Sequence, residues 1–233
     1  RKMWGMRMLC TQPSCKTKQN AIMLASRLWR NQSGLALIEF AYSLPFLILL
    51  TFGGAELANV AITHARISAV TSMVADGVAR VRDRIDENDI NDVIIGAKYA
   101  ADSLDLTSRG RIIISTLEDN AATTTPADDQ KITWQRCKGI KDVPSAQTIG
   151  SEGQVLTSGV GAAGSQVAAT PGNPVVVVDI FYDYRPIMTD RWFGPITIHY
   201  SSAFSVRDRT IQTLQNAQNL SGTAKATCNY FSA

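Results

Sequence analysis

The feature that most constrains this chain is the apolar run at residues 35–55, which reads LALIEFAYSLPFLILLTFGGA. As an α-helix with a rise of ~1.5 Å per residue, the run would be about 31 Å long, the thickness of a bilayer's hydrocarbon core. The run therefore predicts a single membrane-spanning helix. It divides the chain into a short segment before the membrane and a larger one after it.

Charge is distributed unevenly on the two sides of this run. Residues 1–34 contain seven Lys or Arg and no Asp or Glu, whereas residues 35–233 contain 16 basic and 20 acidic side chains. Because Lys and Arg concentrate on the cytoplasmic side of membrane helices, we expect a cytoplasmic N-terminus and an exported C-terminal part. A nucleic-acid-binding domain is disfavoured, since its positive charge would lie on the folded part.

The four cysteines divide in the same way. Cys10 and Cys15 fall in the basic segment, where thiols stay reduced, and their spacing does not suggest a zinc site. Cys137 and Cys228 fall in the exported part, where an oxidising compartment favours one disulfide over two unpaired thiols. That bridge would stabilise the fold by roughly 4 to 5 kcal/mol in the chain-entropy model.

Periodicity beyond the membrane run predicts an α+β fold. Apolar residues at three- and four-residue steps continue the first helix as an amphipathic helix over residues 56–84, and a second helix is expected over residues 87–104. The exported domain, residues 85–233, is then expected to be a small antiparallel β-rich domain. The predicted strands are residues 111–117, 132–137, 175–184 and 196–206, with a flexible Gly/Ala/Ser-rich loop at 150–174 and a short helix at 207–220.

One carboxylate interrupts the apolar run. Glu39 would cost at least ~2.5 to 3.5 kcal/mol in hydrocarbon, so such a residue is normally paired or functional. The alternative is that Glu39 lies close enough to the cytoplasmic interface to reach water.

Around Glu39 the sequence resembles the type IV pilin class, and within it the TadE-like pseudopilins of the tight-adherence (Tad) system. The resemblance covers about residues 27–60 and rests on a basic leader ending at Gly34, the uncharged Leu35-Ala-Leu-Ile, the Glu39-Phe40 pair, Pro45 within the apolar run and Glu56 just beyond it. The β-rich exported part is similar to the TadE family only in composition. The membrane run, with its flanking residues, therefore looks like a prepilin signal.

The resemblance implies cleavage between Gly34 and Leu35 by a prepilin peptidase, so that residues 1–34 would be a leader that is removed. Glu39 would then pair with the Leu35 amine of a neighbouring subunit, because each charge is costly alone in lipid. It further implies a minor pilin or pseudopilin for Tad pilus biogenesis and adherence, without catalysis or cofactor. Its partners would be other Tad pilins, the inner-membrane assembly platform and membrane lipid. The protein would cross the bacterial inner membrane once, with a periplasmic domain that reaches the cell surface on assembly.

Two other classes of protein stay open. The run 35–55 could be an ordinary signal peptide or anchor of a periplasmic binding protein, cut after Gly53-Gly54-Ala55. A membrane-tethered enzyme is the second, although no catalytic constellation is evident. The expected leader is also long and begins with Arg, so translation could start at Met3, Met6, Met8 or Met23.

Several short patterns imitate functional motifs. Residues 159–164 match G-x-G-x-x-G with Asp179 downstream, but Pro and Gly residues leave little room for the helix that would bind a pyrophosphate. His64 and His199 lack a nucleophile motif, and we expect packed or solvated histidines. The acidic segment 83–92 lacks the ligand pattern of a calcium loop and is expected to be a solvated helix start. Asp179 and Asp183 share a strand face with apolar residues, which an edge strand or interface could explain.

Overall fold

A computed structural model of the chain describes residues 33–120, 130–144, 147–161, 166–187 and 194–233. The chain divides into two units, Arg1–Ala55 and Glu56–Ala233. Cys10, Cys15 and the candidate start methionines lie outside the described residues.

The architecture is α+β, as predicted, with a long apolar N-terminal helix and an antiparallel sheet. The helices are α1 (Ser33–Ala79), α2 (Glu87–Ala100) and α3 (Leu106–Arg109). The strands are β1 (Asp83–Asp86), β2 (Gly110–Asp119), β3 (Gln130–Lys138), β4 (Val155–Leu156), β5 (Val175–Asp183), β6 (Thr197–Ser205) and β7 (Arg209–Gln215).

Five strands form one sheet in the order β4-β3-β2-β5-β6, and every neighbouring pair is antiparallel. The four long strands, β2, β3, β5 and β6, lie within two residues of their predicted bounds, because each contains a group of β-branched or aromatic residues. β5 pairs with β6 without a register shift, from Val175 opposite Ser205 to Asp183 opposite Thr197. β1 and β7 form a separate two-stranded parallel sheet.

One face of the large sheet packs against the second half of α1 and against α2. Alternate residues of a strand point to the same face, so the even-numbered residues of β2 and β5 meet the apolar stripe of the helices. The main core includes Ile67, Val74, Val78, Ile90, Ile94, Ile112, Ile114, Val176, Val178 and Ile180. This core is the reason why the amphipathic pattern beyond residue 56 is so regular.

The opposite face of the sheet is covered by connecting segments and the C-terminal tail. Two smaller clusters lie there, one around Leu117, Ile132 and Val177 and the other around Ile113 and Phe181. The near-continuous burial of β2 and β5 follows from this cover on both faces.

Helix α1 ends at Ala79, before the expected end at residue 84. Residues 83–86 form β1 instead, and Asp83 starts it with a positive φ of 58°. Arg209 is buried and donates to the carbonyl oxygens of Val78 at 2.5 Å and Val81 at 3.3 Å. The bond to Val78 supplies a donor to a carbonyl in the last turn of α1, where carbonyl groups have no donor within the helix.

The short helix expected over residues 207–220 is wrong. Residues 209–215 form β7, which pairs with β1 in parallel. The polar composition favoured a surface helix, but Arg209 is held at the end of α1 and aligns this segment beside β1. A parallel pair between segments so far apart in the chain leaves no local sequence signal.

Helix α2 begins at the residue predicted and ends at Ala100, four residues early, before a 3₁₀ turn at Asp102–Leu104. Asp86 is its N-cap and forms a capping box with Asp89. The expectation of a solvated acidic helix start is wrong for Glu87, which is 2% exposed.

Candidate processing and assembly site

The residues of the predicted prepilin signal lie at the start of α1. Gly34, Leu35, Glu39, Phe40 and Pro45 are all helical and exposed. No described residue donates a hydrogen bond to the Glu39 carboxylate. Leu35 and Phe40 are 56% and 58% exposed, so these side chains are accessible to lipid or to another protein.

Pro45 lies inside α1 without ending it. Its ring has no N–H group, so the carbonyl of Ala41 lacks its usual donor. Nearby hydroxyl groups bond to the helix backbone: Ser43 donates to Phe40 O at 3.0 Å and Thr51 donates to Leu47 O at 2.7 Å. Local bonds of this kind are common where proline occurs in membrane helices.

The first turns of α1 present apolar side chains all round the helix. The most apolar stretch of the helix is long enough to cross a membrane, and none of it is buried. The exposed large side chains there are Leu35, Leu37, Ile38, Phe40, Tyr42, Leu44, Phe46, Leu47, Ile48, Leu49, Leu50 and Phe52. A helix that is hydrophobic on every side needs an apolar surrounding.

Glu56, the first residue beyond the apolar run, is the centre of a buried polar network. It is 1% exposed, and its carboxylate accepts from the Tyr184 hydroxyl at 2.6 Å and from the Ile187 N–H at 3.0 Å. Asn59 in turn donates to the Tyr184 oxygen at 2.6 Å. Burial and the hydrogen bond to Glu56 raise the pKa of Tyr184 to about 12.

This network joins α1 to the end of β5. Glu56 is one of the residues that carry the resemblance. Its partners could not be predicted from the sequence, because they lie more than 120 residues away in the chain. A tyrosine hydroxyl and a backbone N–H stabilise the buried charge, which would otherwise be costly.

Cys137 and Cys228 form the predicted disulfide. The disulfide links β3 to the C-terminal tail. Arg111 also holds the tail, because its guanidinium donates to Cys228 O at 2.6 Å and lies 4.1 Å from the centre of the Phe231 ring. The same guanidinium donates to Gly139 O at 2.8 Å. Burial lowers the pKa of Arg111, and the nearby charge of Asp142 partly opposes this shift. The tail is therefore fixed across the sheet by a covalent and a polar contact.

A buried charge pair joins α2 to the sheet. Arg136 of β3 donates to Glu87 with its closest contact at 2.6 Å, and to the half-exposed Glu152 at 2.8 Å. Both Arg136 and Glu87 are less than 5% exposed. Neither the pair nor the burial was predicted, since each residue alone is typical of a surface position.

His199 and Asp179 come together on the loop-covered face of the sheet. His199 Nε2 lies 3.0 Å from Asp179 Oδ1, and the imidazole stacks on Phe181 with ring centres 4.0 Å apart. Asp179 is 3% exposed, and its Oδ2 has no hydrogen-bond partner among the described residues. The expectation of a solvated or packed histidine did not include this pair, which depends on the β5–β6 register.

A cavity of about 530 Å³ adjoins this pair and is bordered by the 156–161 segment. Ser201 also lines it but makes no hydrogen bond to His199, so these residues do not form a Ser-His-Asp relay. The other histidine, His64, contacts the Tyr200 hydroxyl at 3.2 Å. Within the described ranges no group of three metal-ligating side chains occurs.

The described part of the dinucleotide-like motif, residues 159–161, contains no helix. A Cβ at Gly159 would come 2.6 Å from the carbonyl oxygen of Val167, beside the bridge between Val160 and Val167. Close backbone approach therefore explains Gly159. Gly164 lies outside the described residues, and the described residues 166–174 contain no helix.

Comparison of the whole chain with protein-family models, with curated proteins and with solved structures gives no match in any of the three.

Proposed function

We propose that the protein is a membrane-anchored assembly subunit, a TadE-like minor pilin or pseudopilin that contributes to building a Tad pilus. The observation that carries the proposal is the change in burial along α1. Its large apolar side chains are exposed up to Phe52, whereas beyond Glu56 one face of the same helix is buried in the core of an α+β domain. Such a helix suits lipid at one end and a folded domain at the other.

In this proposal the prepilin peptidase cuts between Gly34 and Leu35. Both residues are exposed, and a Cβ at Gly34 would meet no atom within 4 Å. Packing among the described residues does not require the glycine, which supports a role in recognition by the peptidase. Cutting there removes seven positive charges and creates a new amine on Leu35, four residues before Glu39.

Glu39 then pairs with the Leu35 amine of a neighbouring subunit. The exposed Glu39 carboxylate has no hydrogen-bond partner among the described residues, which supports this role because in lipid it would need a cation from another molecule. The other subunits would be Tad pilins held at the inner-membrane platform. The domain would lie in the periplasm and reach the cell surface on assembly, and the chain would catalyse no reaction.

The experiment is co-isolation of neighbouring pilins with Glu39→Gln, which keeps the shape of the side chain and removes its charge. Ser43→Ala is the matched control, since Ser43 is an exposed polar residue one turn away whose only described bond is to its own helix. We expect Glu39→Gln to lose the neighbours while staying in the membrane, and Ser43→Ala to retain them. Equal co-isolation of both variants would disprove the pairing.

A periplasmic binding protein is the second candidate. The compact second unit begins at Glu56, directly after the small-residue sequence Gly53-Gly54-Ala55 where a signal peptidase could cut. The cavity beside Asp179 and His199 would then be the binding site. The position of the mature N-terminus separates the two candidates.

A further inference from the structure

We infer that residues 185–187, which lie just beyond β5, contact the lipid headgroups of the membrane that α1 enters; the inference rests on the membrane span of the proposed function. The starting point is Glu56. It directly follows the last residue of the apolar run, so it marks the level at which the chain leaves the hydrocarbon.

Glu56 fixes the position of these residues. Its two carboxylate oxygens accept the Tyr184 hydroxyl at 2.6 Å and the Ile187 N–H at 3.0 Å, and the carboxylate is 1% exposed. A buried carboxylate with two donors holds the backbone at residue 187 within one hydrogen bond of the helix. That backbone therefore lies at the level of the headgroup layer.

The side chains at this level suit an interface between lipid and water. Ile187 is 64% exposed and Leu57, next to Glu56, is 65% exposed. Arg185 is exposed and forms no hydrogen bond or ion pair with any described residue. Apolar side chains beside a free guanidinium match the boundary between acyl chains and phosphate groups, and a cation there favours anionic lipid.

The far end of α1 provides the contrast. Ile211 of β7 is 46% exposed, and its neighbour Arg209 bonds to Val78, about 33 Å along the helix from Glu56. Ile211 has the same side chain as Ile187 and comparable exposure. Under the inference it lies in water, well away from the bilayer.

The test places spin labels on the full chain in phosphatidylglycerol-containing vesicles, with Cys10 and Cys15 changed to serine. Three variants, Leu47→Cys, Ile187→Cys and Ile211→Cys, are compared for collision with oxygen, which concentrates in lipid, and with a water-soluble nickel chelate. We expect the label at Leu47 to meet oxygen, the label at Ile211 to meet nickel, and the label at Ile187 to have severalfold less nickel contact than that at Ile211.

A second arm tests the headgroup. Arg185→Gln, in the Ile187→Cys background, should raise nickel contact at Ile187 in phosphatidylglycerol vesicles and have little effect in phosphatidylcholine vesicles. Arg207→Gln is the control, because Arg207 is an exposed arginine beside the other end of α1. Equal effects of the two arginine variants would overturn the contact with anionic lipid.

The labels also distinguish failure of the inference from failure of the proposed function. Nickel contact at Ile187 equal to that at Ile211, with Leu47 still in lipid, overturns the headgroup contact and leaves the membrane span intact. Nickel contact at Leu47 overturns both. Protection of Ile187 from both reagents would mean that protein covers it, and this also overturns the inference.

Discussion

At the scale of single residues, the pair formed by Glu87 and Arg136 illustrates what a buried charge requires. Both side chains are nearly inaccessible, and three hydrogen bonds of 2.6 to 3.1 Å join them. Leaving one buried charge without its partner is far more costly than removing both.

Arg136→Met should therefore destabilise the protein by about 3 to 5 kcal/mol. The measurement is the free energy of unfolding of the full chain by urea in detergent. The double variant Glu87→Leu/Arg136→Met should recover most of the loss, because no unpaired charge stays buried. A loss below about 1 kcal/mol for Arg136→Met would contradict the account, since it would place the pair among exposed ion pairs.

Tyr184 gives a prediction about pH. Burial and the bond to Glu56 raise its pKa from 10.0 to about 12, so the folded protein holds this proton more tightly than the unfolded chain. The resulting stabilisation is complete below pH 10 and is lost as the pH rises from 10 to 12. The free energy of unfolding of Tyr184→Phe should fall less over that range than that of the wild type. Identical pH profiles would show that Tyr184 does not carry the effect.

At the scale of elements, two glycines have opposite requirements. Gly139, at the end of β3, has a φ of +121°, and a Cβ there would come 2.2 Å from the carbonyl oxygen of Gly110. Gly96 lies inside α2, and a Cβ there would meet no atom within 4 Å. The position directly after β3 therefore needs a glycine, whereas position 96 in α2 does not.

Gly139→Ala should lower the melting temperature, whereas Gly96→Ala should raise it through a gain of about 0.5 to 1 kcal/mol in helix propensity. Thermal unfolding followed by circular dichroism measures both. If Gly139→Ala were as stable as the wild type, the close approach of residues 110 and 139 would be wrong.

The disulfide is the other element-scale constraint. Cys137 and Cys228 are separated by 91 residues, so the bridge restricts a large loop of the unfolded chain. The double variant Cys137→Ser/Cys228→Ser should lose about 4 kcal/mol. Arg111 should still hold residues 228–231 on the sheet, which hydrogen exchange of the tail would report. A loss below about 1 kcal/mol would indicate that the bridge contributes little to the fold.

The elements that could be predicted are those with a local signal. The strands β2, β3, β5 and β6 and the start of α2 follow from β-branched runs and a capping box. The β1–β7 pair and the early end of α1 depend on Arg209, which acts across 131 residues of chain. The partners of Glu56 are equally remote, and His199 reaches Asp179 across 20 residues through the β5–β6 register. Local patterns predict elements, whereas these contacts arise only when distant segments pack together.

At the scale of the whole molecule, the predicted processing motif and the folded domain lie in different units of one chain. Gly34, Glu39 and Pro45 are predicted as a processing site from their spacing in an apolar run, and that role stays a prediction. The exposed Glu39 and the buried Glu56 have contrasting environments. Under the proposed function the first carboxylate serves contact with another subunit, and the second serves the fold.

The most direct test of the central claim is the intact mass of the mature protein isolated from membranes that contain the prepilin peptidase. The account predicts a chain beginning at Leu35, and Gly34→Val should leave the leader attached without disturbing the fold, since a Cβ at Gly34 meets no atom. Ala55→Leu should have no effect on the mass beyond that of the substitution. A chain beginning at Glu56, with cleavage abolished by Ala55→Leu, would contradict the account and identify an exported protein with an ordinary signal peptide.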